Sequence, residues 1–272
     1  WGLALTAGLL LKEVPYLMLM ALAALNQVPT RQHLAIGRSL GYGAGIAWLK
    51  LVLPQLYPQL RLPIYAVLAF SLSVVDVALI LGPGNPPPLS VLATRWFADP
   101  DVGLYFPAAA AAMLQLALAV GGIALWRGGE AVVACLGRRW IGRGGRGTGS
   151  EPGLRLAFCL TAVLTAFGLL SLIGMAVWSC ATLWRFPDAL PEGWTLATWS
   201  RQIEAIGWPL SSTVAVAALA TAIAIMLSLA CLENEQRHGI RVGRRSLWLI
   251  YTPLLVPQIA FLFGAQVLAI LL

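Results

Sequence analysis

Long apolar runs are the feature of this 272-residue sequence that most restricts its fold. A helix needs about 20 mostly apolar residues to cross a bilayer. Charged residues make up 11% of the chain, whereas a soluble domain carries about 25%. The sequence therefore predicts an all-α membrane protein. Apolar runs of sufficient length lie at 59–82, 102–126, 155–184, 208–232 and 247–272.

Another apolar stretch occupies the first 28 residues and is interrupted by Lys12, Glu13 and Pro15. Neither part of it reaches across a hydrocarbon core of about 30 Å, but the whole stretch, about 40 Å long as a helix, crosses with some tilt. We therefore predict six spans in a polytopic helical bundle. Because both ends of the chain lie within apolar runs, we expect a fragment of a longer protein.

Basic residues are concentrated in the segments 28–58, 127–155 and 233–245. Positive charge stays on the cytoplasmic side of a membrane, so we place these segments inside. This distribution explains the net charge of +7 without a nucleic-acid partner. The tract "GRRWIGRGGRGTGS" superficially resembles an RNA-binding segment, but a solvated basic linker beside lipid headgroups is the simpler interpretation. The outer loops then hold only Arg95, Arg185 and Arg201.

Gly37 to Gly41 spell G-x-S-x-G, the nucleophile-elbow pattern of hydrolases, with Ser39 in the place of the nucleophile. An elbow needs a strand before the serine and a histidine and an acid as partners. Here a helix is predicted instead, from Thr30 as N-cap to a stop at Gly41. The two histidines of the chain, His33 and His238, both lie in predicted cytoplasmic segments. We therefore predict no catalytic residue here.

The same residues resemble the EAA loop of bacterial ABC-importer permeases, which reads E-A-A, three residues, Gly, nine residues, then I-x-L-P. Nine residues separate Gly41 from Leu51, and "LVLP" fills the last element. The sequence departs from the motif at its head, where "AIG" replaces Glu-Ala-Ala, so the role of the family's glutamate is not carried over. The matching residues of the predicted coupling loop 28–58 are Ala35, Ile36, Gly37, Arg38, Ser39, Leu40, Gly41, Leu51, Leu53 and Pro54.

The resemblance implies a fused permease with the MetI-like fold. Residues 1–126 would be the last three spans of one half, 127–154 a cytoplasmic Gly/Arg linker, and 155–272 the first three spans of the next half. Fused halves occur in ferric-iron and thiamine importers and in YnjC-type permeases, and "LLLKEVPYLMLM" is most similar to the last. The implied location is the bacterial inner membrane. The implied partners are two ATP-binding cassette subunits and a periplasmic or lipid-anchored substrate-binding protein.

In this family the coupling helix sits in a groove of the ATPase subunit. We expect Gly37 and Gly41 to allow close approach of that partner, with Leu34, Ile36 and Leu40 supplying apolar contacts; an interfacial helix resting on lipid is the alternative. The chain has no G-x-x-x-x-G-K-[ST] loop and no cluster of His and Cys. We therefore predict no cofactor or metal in this chain, with ATP and its magnesium ion held by the partner subunit.

Lys12, Glu13 and Asp76 lie within predicted spans, where charge is costly and usually faces protein or water. They are candidate pathway residues. Alternatively they have structural partners, with Asp76 as one candidate for Lys12, or Asp76 extends to the outer interface. Gln115 and Gln258 are expected to form interhelical hydrogen bonds.

Two other functions compete with the permease interpretation. A secondary transporter driven by an ion gradient has no need of a docking helix for an ATPase. A membrane-embedded enzyme needs a convergent acid, base and nucleophile, and the sequence indicates none. Because a separate binding protein largely sets specificity in this family, no substrate is predicted.

Overall fold

The computed structural model describes residues 2–147, 152–185, 188, 191–239, 243, 252–253 and 256–271. These residues are mostly helical, with one isolated antiparallel bridge between Ala181 and Trp194. The predicted all-α class is confirmed. The chain divides into two compact units, Trp1–Leu164 with Leu249–Leu272, and Thr165–Trp248.

The first unit begins with a membrane-length helix and a short helix, followed by two brief helical segments and a second long helix. The elements are α1 (Leu3–Leu25), α2 (Thr30–Ser39), α3 (Ala44–Ala47), a π-helix (Trp48–Val52) and α4 (Leu53–Ser73). α1 continues through Pro15, so the interrupted apolar stretch is one helix, as predicted. Thr30 is the first residue of α2 rather than its N-cap, and its hydroxyl donates to the carbonyl of Val28 instead of accepting from the helix.

The predicted apolar run 59–82 is divided between two helices. α4 ends at Ser73, Val74 is extended with ψ 134°, and α5 (Asp76–Leu81) follows. The unit continues with α6 (Leu89–Phe97), a 3-10 turn (Val102–Leu104) and α7 (Tyr105–Gly142). Val74, Ala78 and Val91 form a buried cluster against which Leu9 of α1 packs. The break therefore lies inside the packed helices.

α7 is 38 residues long and extends well past the predicted span 102–126. It remains helical through residues 127–142, which the composition predicts as a flexible linker. The reason is that this part, despite its glycines, also contains good helix formers such as Leu, Glu, Ala and Arg. The described linker residues without regular structure begin at Arg143.

The remaining helices are α8 (Pro152–Ser179), α9 (Ala197–His238) and α10 (Gln258–Leu271). α10 belongs to the first unit, where the Phe263 ring stacks on Phe97 with centroids 3.4 Å apart and Ile259 is buried beside Ala112. In the second unit, the backbone N–H of Thr195 donates to the carbonyl of Cys180, 2.8 Å, and that of Thr182 donates to the carbonyl of Gly193, 3.0 Å.

Four helices of the described residues are long and apolar enough to cross a membrane. They lie within α1, α7 with its preceding turn, α8 and α9. The number six remains a prediction, because part of the run 247–272 lies outside the described residues and the run 59–82 is divided. The halves predicted at 1–126 and 155–272 likewise remain a prediction.

Candidate functional site

Helix α2, the predicted coupling helix, has one face against its own chain and one face exposed. Ile36 and Leu40, four residues apart, are 54% and 57% exposed. Ala35, Arg38 and Ser39 are also exposed. Ser39 donates its hydroxyl hydrogen to the carbonyl of Ile36 in the same helix, 2.8 Å away. The exposed face is thus a small apolar surface with polar neighbours.

The two glycines of the motif lie in different environments. Gly37 is buried, and a Cβ atom there would lie 2.8 Å from Cβ of Ala47. Its close contact is therefore with α3 of the same chain, which leaves no room for a partner protein at this position. Gly41 has φ +80°, a conformation that favours glycine, and it ends the turn after α2. The expectation of close approach by a partner is therefore corrected for Gly37, whereas for Gly41, which is exposed, it stays a prediction.

The second part of the motif continues into α4. Leu51 lies 3.1 Å from the position of a Cβ on Gly37, while Leu53 and Pro54 begin α4. α2, α3, the π-helix and α4 therefore form one packed element.

Residues 143–147, here called the glycine strap, form two hydrogen bonds with the loop. Lys50 donates a hydrogen bond from Nζ to the carbonyl of Gly145, 2.9 Å, and Gly43 N–H donates to the carbonyl of Arg146, 3.1 Å. Lys50 is 6% exposed. The sequence identifies Lys50 only as one positive charge of a cytoplasmic segment.

Glu130 of α7 accepts hydrogen bonds from two tyrosines of α4. Tyr57 Oη lies 2.8 Å from Oε1, and Tyr65 Oη lies 3.2 Å from both carboxylate oxygens. Arg61 Nε lies 3.1 Å from Oε2, contributing charge without an aligned hydrogen bond. Trp126 Nε1 donates to Tyr57 Oη, 3.1 Å. We call Tyr57, Arg61, Tyr65 and Glu130 the Glu130 cluster.

We did not predict this cluster from the sequence, although the spacing of its residues is a signal for it. Tyr57, Arg61 and Tyr65 are four residues apart in turn and so share one face of α4. Tyr57 precedes the predicted span 59–82, and burial, together with hydrogen bonding to Glu130, raises the pKa of its hydroxyl. Tyr57 therefore remains a hydrogen-bond donor at neutral pH.

A cavity of about 410 Å³ lies between α1, α4 and the residues leading into α10. Lys12, Glu13 and Tyr16 line it from α1, and Phe70 and Ser73 from α4. Gln258 also lines it, at the start of α10. Two of the three predicted pathway residues therefore face one cavity, whereas Asp76 is not part of its lining.

Each of the two adjacent charges of α1 has a different partner. Lys12 Nζ lies 3.6 Å from Oδ2 of Asp76 and 4.3 Å from the centre of the Phe70 ring. Glu13 accepts a hydrogen bond from the hydroxyl of Ser71. The structure therefore pairs Lys12 with Asp76, the candidate partner from the sequence, rather than with Glu13.

The break between α4 and α5 is held by side chains from two other helices. Ser90 of α6 donates to the carbonyl of Val74, 2.7 Å, and Gln115 of α7 donates from Nε2 to the carbonyl of Leu72. Both residues are buried. Non-helical backbone at membrane depth needs such partners because lipid offers none. The interhelical hydrogen bond expected of Gln115 is confirmed.

Over 274 aligned residues the chain is 30% identical to the inner membrane ABC transporter permease protein YnjC of Escherichia coli (strain K12). The match covers 99% of this chain and 47% of the relative, so the chain spans about half the length of the curated relative it matches. No protein-family model and no solved structure matches it. The resemblance to YnjC-type ABC transporter permeases is confirmed, and with it the predicted inner-membrane location.

Proposed function

We propose that this chain, which is similar along its length to an ABC transporter permease, forms part of the permease subunit of a bacterial ABC importer. It contributes to the substrate pathway, and loop 28–58 couples that pathway to a separate ATP-binding cassette subunit. The observation that carries the proposal is the exposed apolar pair Ile36 and Leu40 at the C-terminal end of a short helix between two long ones, with Leu40 as the C-cap.

This pair fits the docking of another protein. Apolar side chains at i and i+4 on one helix form a continuous contact, and covering them removes apolar surface from water at about 25 cal/mol per Å². The neighbouring Arg38 and Ser39 are exposed and offer polar contacts at the edge. A groove in an ATPase subunit, open to the short helix, matches a surface of this size and character.

Movement of α2 has a direct route into the helices. Buried Gly37 brings α2 against Ala47, and α3 leads through the π-helix into α4 without an intervening loop. α4 lines the cavity that contains Lys12 and Glu13. A displacement of α2 by the ATPase subunit is therefore transmitted along α4 to the cavity, which supports the assignment of the cavity to the substrate pathway.

The test is to replace Ile36 and Leu40 together by Glu in the full-length protein. We expect the variant to insert normally but to lose co-purification with the ATP-binding cassette subunit encoded beside it, because charged side chains then occupy the apolar contact. Val133→Glu is the matched control, since Val133 is 68% exposed in the part of α7 that we place inside. Normal co-purification of the double variant would exclude α2 as the docking helix.

A further inference from the structure

The glycine strap and the coupling loop are far apart in sequence but in direct contact. Lys50 and Gly145, which share a hydrogen bond of 2.9 Å, are 95 positions apart. A second hydrogen bond, from Gly43 N–H to the carbonyl of Arg146, lies on the other side of α3. The strap therefore attaches to the loop both before and after α3.

Lys50 is the charged residue at the centre of this contact. Its side chain is almost completely buried. Burial of an ammonium group is unfavourable unless hydrogen-bond acceptors and the electron-rich faces of aromatic rings replace its contacts with water. Here the Gly145 carbonyl accepts from Nζ, and the rings of Trp140 and Tyr42 lie 4.7 and 5.2 Å from it. Trp140 is on the last turns of α7, so the ammonium group connects three segments of the chain.

The contact also requires glycine in the strap. Gly147 has φ +74°, and a Cβ there would overlap the side chain of Ile46 in α3. Gly144 also has a positive φ, +69°, but a Cβ there would meet open space. The glycine-rich composition, which predicts a flexible linker, here permits a close backbone approach at Gly147.

We propose that Lys50 is a positioning residue that attaches the coupling loop to the glycine strap, so that the loop and the C-terminal end of α7 move as one body. The consequence of this attachment for transport rests on the proposed function of the loop. The contact between Lys50 and the strap does not depend on that function. The coupling helix then acts on α7 as well as on α4. The Glu130 cluster, which joins α4 to α7 by side-chain contacts, supports the same concerted movement.

Disulfide cross-linking tests the contact in the full-length protein, in a background without native cysteines. The Cβ position of Gly147 lies 3.4 Å from Cβ of Ile46, close to the roughly 3.5–4.5 Å of a disulfide. Because Ile46→Cys removes the branched side chain that a Cβ at position 147 would overlap, we expect rapid cross-linking of Ile46→Cys with Gly147→Cys in native membranes. The control pair is Ile46→Cys with Gly144→Cys, which carries the same backbone strain without the contact. Equal cross-linking of the two pairs would overturn the proposal.

Substitution of Lys50 tests its role. In the Ile46/Gly147 cysteine pair, Lys50→Met should slow cross-linking about tenfold, because it removes a hydrogen bond from a charged donor. Lys50→Arg, which keeps a cation and donors, should restore most of the rate. An unchanged rate in Lys50→Met would show that Lys50 does not hold the strap.

The one-body movement is tested by ATP hydrolysis of the complex with its ATP-binding cassette subunit in proteoliposomes. The cross-linked protein should stimulate hydrolysis as the reduced protein does. A loss that dithiothreitol reverses would show that the strap must detach, and would overturn the proposal. A native complex without measurable hydrolysis would contradict the proposed function and the one-body movement, whereas the cross-linking rates would still decide the Lys50 contact.

Discussion

Lys12 Nζ lies 3.6 Å from Oδ2 of Asp76, so the middle of α1 is paired with the first residue after the break between α4 and α5. The neighbouring Glu13 instead accepts from Ser71 of α4. Adjacent residues point about 100° apart on a helix, which is why the two charges of α1 reach different partners. Lys12 therefore has a structural partner and also lines the cavity, and its role in the pathway stays a prediction.

The first prediction concerns this pair. Lys12→Met and Asp76→Asn should each lower the yield of folded protein, because each leaves one charge unpaired. The two side chains are 53% and 69% exposed, so the cost is expected to be smaller than the cost of about 2.5–3.5 kcal/mol for a charge at the bilayer centre. The double variant should recover most of the yield. The measurement is monodisperse protein after detergent extraction, normalised to total expression.

Glu13→Gln is the matched comparison, because the amide still accepts from Ser71. We expect normal yield of this variant. If Lys12→Met and Asp76→Asn also leave the yield unchanged while ATP hydrolysis of the transport complex changes, the pair serves the pathway and does not stabilise the helices.

The second prediction concerns the Glu130 cluster. Glu130→Ala should lower the free energy of unfolding by about 2–3 kcal/mol, since it leaves buried Tyr65 without its acceptor and removes the partner of Arg61. The effect is smaller than for a fully buried pair because the Arg61 side chain is 37% exposed. Thermal unfolding of the purified protein in detergent measures it.

The control for Glu130→Ala is Glu233→Ala in α9. Glu233 pairs with Arg237 at 2.7 Å, but both side chains are more than half exposed. An exposed pair of this spacing on a helix contributes about 0.3–0.5 kcal/mol. Equal destabilisation by the two substitutions would show that burial of the Glu130 cluster has no energetic importance.

The third prediction concerns the helix break. Ser90→Ala leaves the carbonyl of buried Val74 without the serine hydroxyl, and we expect a loss of about 1–3 kcal/mol in stability. Ser39→Ala removes a hydroxyl that also donates to a carbonyl, but from an exposed position. Water replaces that bond, so Ser39→Ala should have unfolding behaviour within error of the native protein. Comparable losses in both variants would argue against a special role for Ser90.

The fourth prediction is the topology. In a cysteine-free background, Glu192→Cys should react with a membrane-impermeant thiol reagent added to intact spheroplasts, whereas Gly144→Cys should react only after permeabilisation. The reason is that basic residues near Gly144 favour the cytoplasmic side. Glu192 is exposed in the turn before α9, and Gly144 has open space around it. Labelling of Gly144→Cys in intact spheroplasts would reverse the orientation.

Much of the fold could be predicted because its cause is local. An apolar run of sufficient length forms a helix in a membrane wherever it occurs, since only a helix satisfies its own backbone hydrogen bonds there. This identified α1, α7, α8 and α9 as membrane-length helices. The coupling loop 28–58 stays a prediction, and it comes from the sequence alone because its motif is a pattern of residue spacing. The helical continuation of α7 through residues 127–142 was not predicted, because the prediction of a flexible linker relied on the glycine content of this segment and not on the helix formers around the glycines.

The sequence by itself thus determined the all-α class of the protein and its membrane-length helices, and it predicts the position of a coupling loop. Only the tertiary structure decided that Gly37 faces Ala47, that Lys12 pairs with Asp76, and that Lys50 is buried under the glycine strap. These arrangements depend on which helix packs against each side chain. The residues in contact are as far apart as 95 positions in the chain, so no local sequence pattern predicts these contacts.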